Sequence, residues 1–160
     1  MSSALQQQLI DFVYAESRAL AECDYSFWLD QFAEDGIYWM PLAPGQIDAA
    51  LVTSLLYEDK FLLQLRIERL RGERTYSQKP ASRCHHLLQR PPVDSMDETN
   101  GEFVVSTSFH YVETRRDEQD LYAGWFRHEL RIVDEQLKIK CKCVELVNRD
   151  AAFGNIQLLM

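Results

Sequence analysis

The segment Glu102-Phe-Val-Val-Ser-Thr-Ser-Phe-His-Tyr-Val-Glu-Thr114 places apolar side chains at a period of two, and its reading decides the fold. Successive side chains of a strand point to opposite faces. Phe103, Val105, Phe109 and Tyr111 then share one face, and Val104, Ser106, Ser108, His110 and Val112 the other. Asn100-Gly101 punctuates the start of this strand. Two further long strands are expected at 121–133 and 136–148, on either side of Asp134-Glu135, with 115–120 as a charged turn region. In the last of them Leu137, Ile139, Cys141 and Cys143 are expected on one face and Lys138, Lys140 and Lys142 on the other. A shorter strand is expected at 82–89, stopped by Pro91-Pro92.

Upstream the period changes to that of a helix. Leu5, Leu9, Phe12, Val13 and Leu20 fall on one helical face, with Ser3 available as an N-cap. Asp24 caps a second, shorter helix running to about residue 33, anchored by Phe27, Trp28 and Phe32 and broken by Glu34-Asp35-Gly36. Ile37-Tyr-Trp-Met40 reads as a strand that Pro41 and Pro44 end in a loop to about residue 50. A third helix is expected at 54–71, closed by Gly72. Its residues Leu56, Leu63, Ile67 and Leu70 form one apolar stripe, and Phe61, Leu62 and Leu65 a second. Two stripes imply two packing partners: this chain's own sheet and either another subunit or more of its own core. About three N-terminal helices followed by a long, curved, mostly antiparallel meander define an α+β fold.

Size and charge narrow the function. With 160 residues and no linker-like stretch, 1–160 is expected to be a single domain, large enough to hold a core without disulfides or a structural metal. The formal net charge of −8 argues against a nucleic-acid partner, since Arg66, Arg69, Arg71 and Arg74 are interleaved with Glu68 and Glu73 rather than forming a basic stripe. No basic-then-apolar leader opens the chain and no run of eighteen apolar residues occurs, so neither secretion nor membrane insertion is expected. Cys23, Cys84, Cys141 and Cys143 are read as reduced thiols of a cytoplasmic protein.

The chemistry-bearing residues are few. An iron–sulfur centre of the Rieske type needs two Cys and two His; Cys84-His85-His86 supplies one half, but no His follows Cys141 or Cys143. A mononuclear iron site needs two His and a carboxylate on one side of the metal, and no local spacing of His85, His86, His110 and His128 provides it. Neither a cofactor nor a metal site is therefore expected in this chain. The remaining catalytic arrangement is acid–base work in a pocket between helices and sheet. There His85 or His86 with His110 would converge with Asp35, Tyr25 or Tyr38 to move a proton. Against it, His110 lies on the more polar face of its strand. No nucleophile elbow, phosphate loop or dinucleotide fingerprint is present.

Taken in order, Asp24-Tyr-Ser-Phe-Trp-Leu, Phe32-Ala-Glu-Asp-Gly-Ile-Tyr-Trp-Met-Pro41, Tyr57-Glu-Asp-Lys-Phe-Leu-Leu-Gln-Leu-Arg-Ile-Glu-Arg-Leu70 and Pro80-Ala-Ser-Arg-Cys-His-His-Leu87 resemble the small (beta) subunit of bacterial aromatic-ring-hydroxylating dioxygenases. Residues 122–147 resemble that family's final hairpin, and Asn155-Ile-Gln-Leu-Leu-Met160 its apolar tail strand. His85 stands where the family usually has arginine. The resemblance implies the cone-shaped fold of the nuclear transport factor 2-like superfamily. It implies a homotrimer within an alpha3-beta3 hexamer, in which a large (alpha) subunit holds the Rieske [2Fe-2S] cluster and the mononuclear iron. That assembly inserts both atoms of O2 into an aromatic ring with electrons drawn from NAD(P)H. The small subunit stabilises and positions, and in some members influences substrate preference. Arg66, Arg69, Arg83 and His86 are its subunit-interface candidates. The competing expectations are a free-standing dehydratase or isomerase of the same superfamily, using the His/Asp pocket, and a binding module without chemistry. Fold alone does not choose among them.

Overall fold

In the computed structural model, residues 3–42, 54–76, 82–148 and 159–160 are described. Helix α1 (Ser3–Ala21) buries Leu9, Ile10, Val13 and Leu20, as its spacing requires. Helix α2 (Tyr25–Asp30) starts at Asp24, whose carboxylate accepts the Phe27 N–H at 3.2 Å. It is shorter than the sequence suggested. Strand β1 (Phe32–Pro41) already begins at Phe32, and Glu34-Asp35-Gly36 is an irregularity inside it rather than a break before it. Gly36 permits this, because a Cβ there would lie 2.7 Å from the Ile139 carbonyl oxygen and 2.9 Å from that of Ala33.

The expected helix at 54–71 is corrected to two elements. Strand β2 (Ser54–Asp59) pairs antiparallel with β1, Leu56 opposite Met40, and helix α3 (Lys60–Tyr76) follows. Asp59 accepts the Leu62 N–H at 2.9 Å, so the switch from strand to helix sits on a capping carboxylate. Gly72 lies within α3 instead of closing it. Leu63, Ile67 and Leu70 are buried, whereas Phe61 and Leu62 of the second stripe are exposed. That stripe is therefore not part of this chain's own core.

Strands β3 (Arg83–Leu88), β5 (Glu102–Arg115), β6 (Glu118–Val133) and β7 (Gln136–Leu146) match the expected meander, and β4 (Val93–Asp97), which the sequence reading missed, pairs with β5. The order is β2-β1-β7-β6-β5-β3, with β1 and β7 parallel and every other pair antiparallel. The turn between β6 and β7 puts both Asp134 (φ 48°) and Glu135 (φ 63°) in the left-handed region, the requirement of a tight hairpin turn. Helix α1 crosses β3, β4 and β5, while α3 packs on β1 and β2. The core lies between these helices and the inner face of the sheet, where Phe103, Val105, Phe109, Tyr111, Phe126 and Leu130 are buried. The loop expected to run to about residue 50 lies, from residue 43 on, outside the described residues, as does most of the tail strand expected at 155–160; Leu159 and Met160 are buried.

One face assignment is also corrected. Lys142 is buried, whereas Lys138 is half-buried and Lys140 exposed. Leu130 pairs with Ile139 and Glu129 with Cys141, so Lys140 is an extra residue on β7 and the alternation inverts beyond it. A bulge turns every later side chain to the other face. Ile139 and, beyond the bulge, Lys142, Val144 and Leu146 are all buried.

Candidate functional site

The interior carries a row of polar groups at one level of the sheet. Tyr38 of β1 stands opposite Lys142 of β7, and Lys142 opposite His128 of β6. Directly paired residues on one face have Cβ atoms about 5 Å apart. From α1, Glu16 reaches down onto this row: Oε1 accepts from Lys142 Nζ at 2.6 Å and from Trp28 Nε1 at 2.5 Å, and Oε2 lies 3.3 Å from His128 Nε2. Lys142 Nζ also donates to the main-chain oxygen of Met160 at 2.7 Å and sits 4.4 Å from the centroid of the Phe126 ring. Glu16, His128 and Lys142 each have 0% exposure, so the cluster is closed to bulk solvent.

Charge in such a place is settled by its partners. Burial pushes the Glu16 carboxyl up, but the Lys142 ammonium and then His128 outweigh it and hold Glu16 below the usual carboxylate range. Burial lowers the His128 pKa against the pull of Glu16, which favours the neutral imidazole. A carboxylate only accepts, so the Glu16 contact places the His128 proton on Nε2. Its Nδ1 is left without a partner. Tyr38 is driven up by burial and remains a phenol; its hydroxyl bonds the Met160 main chain at 3.3 Å. The cluster is thus one ion pair with a neutral imidazole and a phenol beside it.

The residues named from the sequence do not converge. Asp35 is exposed and ion-paired with Arg131. His85 and His110 are exposed on the outer face of the sheet. Tyr25 is buried in the core. Of the named residues on the strands, Tyr38 and His86 point inward. His86 stands opposite Tyr111 with ring centroids 4.8 Å apart, its pKa pushed down to about 4 by burial and then by Lys142. Both of its ring nitrogens are buried without a partner. Arg66 is bonded to Glu58, with Nε to Oε2 at 2.9 Å, and Arg69 and Arg83 are exposed. Three interior groups went unnoticed in the sequence. Glu16 could have been found as a charge inside the apolar stripe Leu9, Val13, Leu20, and His128 as an alternate between Phe126 and Leu130; Lys142 was hidden by the bulge.

Burial pushes the thiols of Cys141 and Cys143 up to about 12, so both are inert at neutral pH. Among the described residues no group of three or more His, Cys, Asp or Glu is placed to hold a metal ion, and no helix is long and apolar enough to cross a membrane.

The outer face of the sheet is different in character. Leu87, Leu121, Trp125 and Val147 are exposed there. A groove of about 540 Å³ opens among Leu87, Leu88, Ser108, His110, Trp125 and Val147, and no charged residue lines it. Gly124 is part of its lining and has no space for a side chain: a Cβ would lie 1.9 Å from the Glu145 carbonyl oxygen.

Helices closing one face of a curved seven-stranded sheet give the described residues the cone-shaped α+β fold of the nuclear transport factor 2-like class. A solved putative scytalone dehydratase from Novosphingobium aromaticivorans shares this fold, with a TM-score of 0.64 at 15% identity, covering 90% of this chain and 83% of its own. The family model for the ring hydroxylating beta subunit matches residues 15–151, and the chain belongs to that family. It is 29% identical over 136 residues to the beta subunit of benzene 1,2-dioxygenase from Pseudomonas putida, covering 79% of this chain and 72% of that one. The solved beta subunit of benzoate 1,2-dioxygenase from Burkholderia mallei superposes with a TM-score of 0.74 at 27% identity, covering 93% of each chain.

Proposed function

We propose that this chain is a non-catalytic structural subunit of an aromatic-ring dioxygenase, meeting copies of itself and a large subunit in an alpha3-beta3 assembly. Membership of the beta-subunit family carries this reading. The physical layout supports it. An uncharged apolar surface on a chain of net charge −8 is where copies or partners meet without like-charge repulsion. The exposed pair Phe61 and Leu62 on α3 gives a second apolar surface, as a subunit with two kinds of neighbour requires. Arg69 and Arg83, both exposed, remain interface candidates on this reading. The Rieske cluster and the mononuclear iron belong to the large subunit, which binds the aromatic ring. The small subunit works in the cytoplasm with it.

A dehydratase or isomerase would need its acid and base within reach of a substrate. Here Glu16 is neutralised by Lys142, and both are sealed. The test is reconstitution: ring hydroxylation by the large subunit, supplied with electron donors, should depend on adding this chain. Hydroxylation at the full rate without it would refute the proposal. So would dehydratase or isomerase turnover by the isolated chain that disappears in Glu16→Gln.

A further inference from the structure

A lysine ammonium has three N–H groups to place. On Lys142 one goes to Glu16 of α1 at 2.6 Å and one to the Met160 main-chain oxygen at 2.7 Å, and the cation rests 4.4 Å from the Phe126 ring centroid. Glu16 and Met160 belong to opposite ends of the sequence and have no hydrogen bond to each other among the described contacts. Met160 is otherwise tied to the sheet through Tyr38, whose hydroxyl gives to its carbonyl oxygen or takes from its N–H, both at 3.3 Å. A hydroxyl contact of that length is the weaker of the two ties. The side chains of Leu159 and Met160 are buried, so these residues complete the core beside Lys142.

We propose that Lys142 is a two-ended clip that holds residues 159–160 and helix α1 against the sheet through one nitrogen, so that loss of the lysine releases both segments. The bulge at Lys140 is the device that aims this lysine inward. The clip has a direction. Its loss strands Glu16 and frees Met160 together, whereas loss of the Glu16 charge alone leaves the Lys142 to Met160 bond in place.

Amide exchange by NMR tests this, with the Phe126 amide in β6 as the reference for global opening. In Lys142→Met, exchange of the Met160 amide should rise at least tenfold more than that of Phe126, and the buried Met160 methyl should move toward its solvent-exposed position. The double variant Glu16→Gln with Lys142→Met removes the stranded carboxylate, guards against misfolding, and should show the same release of Met160. Glu16→Gln alone should leave Met160 exchange within about twofold of the parent, relative to Phe126. Equal acceleration at Met160 and Phe126 in both lysine variants, or release of Met160 by Glu16→Gln alone, would overturn the clip.

Discussion

Replacing Lys142 by methionine keeps the volume and removes the charge, which leaves Glu16 facing only His128 at 3.3 Å and Trp28 at 2.5 Å. Breaking a buried pair by removing one partner costs about 3–5 kcal/mol, because the remaining charge is uncompensated. Among the described residues in contact with Glu16, His128 is the one other group able to supply the compensating proton. The remaining titratable groups around it do not serve: Tyr38 from β1 is a neutral phenol, and His86 from β3, which has no hydrogen bond to Glu16, is held low first by burial, which the substitution leaves in place. In the parent the folded-state pKa of His128 is lowered, so as pH falls through 6.5 the unfolded chain takes up the proton first and this contribution to stability is lost. In Lys142→Met the unpaired carboxylate raises it instead. Stability from the imidazolium is then present below 6.5 and is lost as pH rises through the raised value. Lys142 is also the second cause, after burial, of the lowered His86 pKa, so its removal relaxes His86 in the same direction and adds to the difference between the two pH values. Urea unfolding should give a loss of about 3–5 kcal/mol at pH 8 that is smaller by about 1–2 kcal/mol at pH 6. Imidazole 15N shifts should show His128 doubly protonated in the variant at pH 6. A loss that is the same at both pH values, or larger at pH 6, would refute the reasoning.

Other substitutions probe other parts of the account. Gly124→Ala drives a methyl into the Glu145 backbone, and should lower stability by about 1–3 kcal/mol or more in urea unfolding. His86→Phe removes two buried, unpartnered nitrogens, so stability at pH 7 should be unchanged or higher. The same variant should lose part of the parent's acid sensitivity between pH 6.5 and 4, where the parent must keep His86 neutral in the fold while the unfolded chain protonates; at most about 3 kcal/mol is at stake. Trp125→Glu, on the outer face at 48% exposure, should leave the stability of the isolated chain within about 0.5 kcal/mol and abolish self-association in light scattering at micromolar concentration.

Much of this fold was legible because the sheet obeys a period of two. The inner face of β5 could be written down from Phe103, Val105, Phe109 and Tyr111 alone, and the exposure of His110 followed from the same alternation. Two failures have local causes. The stretch Ser54-Leu-Leu-Tyr-Glu-Asp59 has leucines that also fit a helix, and it becomes a strand because β1 offers a free edge; a short apolar run does not tell the two apart. Lys142 escaped notice because a single extra residue at Lys140 reverses inside and outside, and nothing in Leu-Lys-Ile-Lys-Cys-Lys-Cys marks that residue. The interior cluster inherits this failure. Its acid was visible as Glu16 on an apolar helix face, but the cation that explains it was assigned to solvent. The convergence of Asp35, His85 and His110 failed for a simpler reason, since these side chains lie on the solvent side of the sheet.

On the function proposed above, this chain contributes shape to an oxygenase whose redox centres reside in its partner. Native mass spectrometry of the complex copurified from cells expressing both chains, with iron measured on each subunit after separation, tests it most directly. The account predicts equal numbers of the two subunits, three of each, with iron recovered from the large subunit alone. A large subunit that purifies as an active assembly without this chain, or stoichiometric iron on this chain after separation, would contradict it.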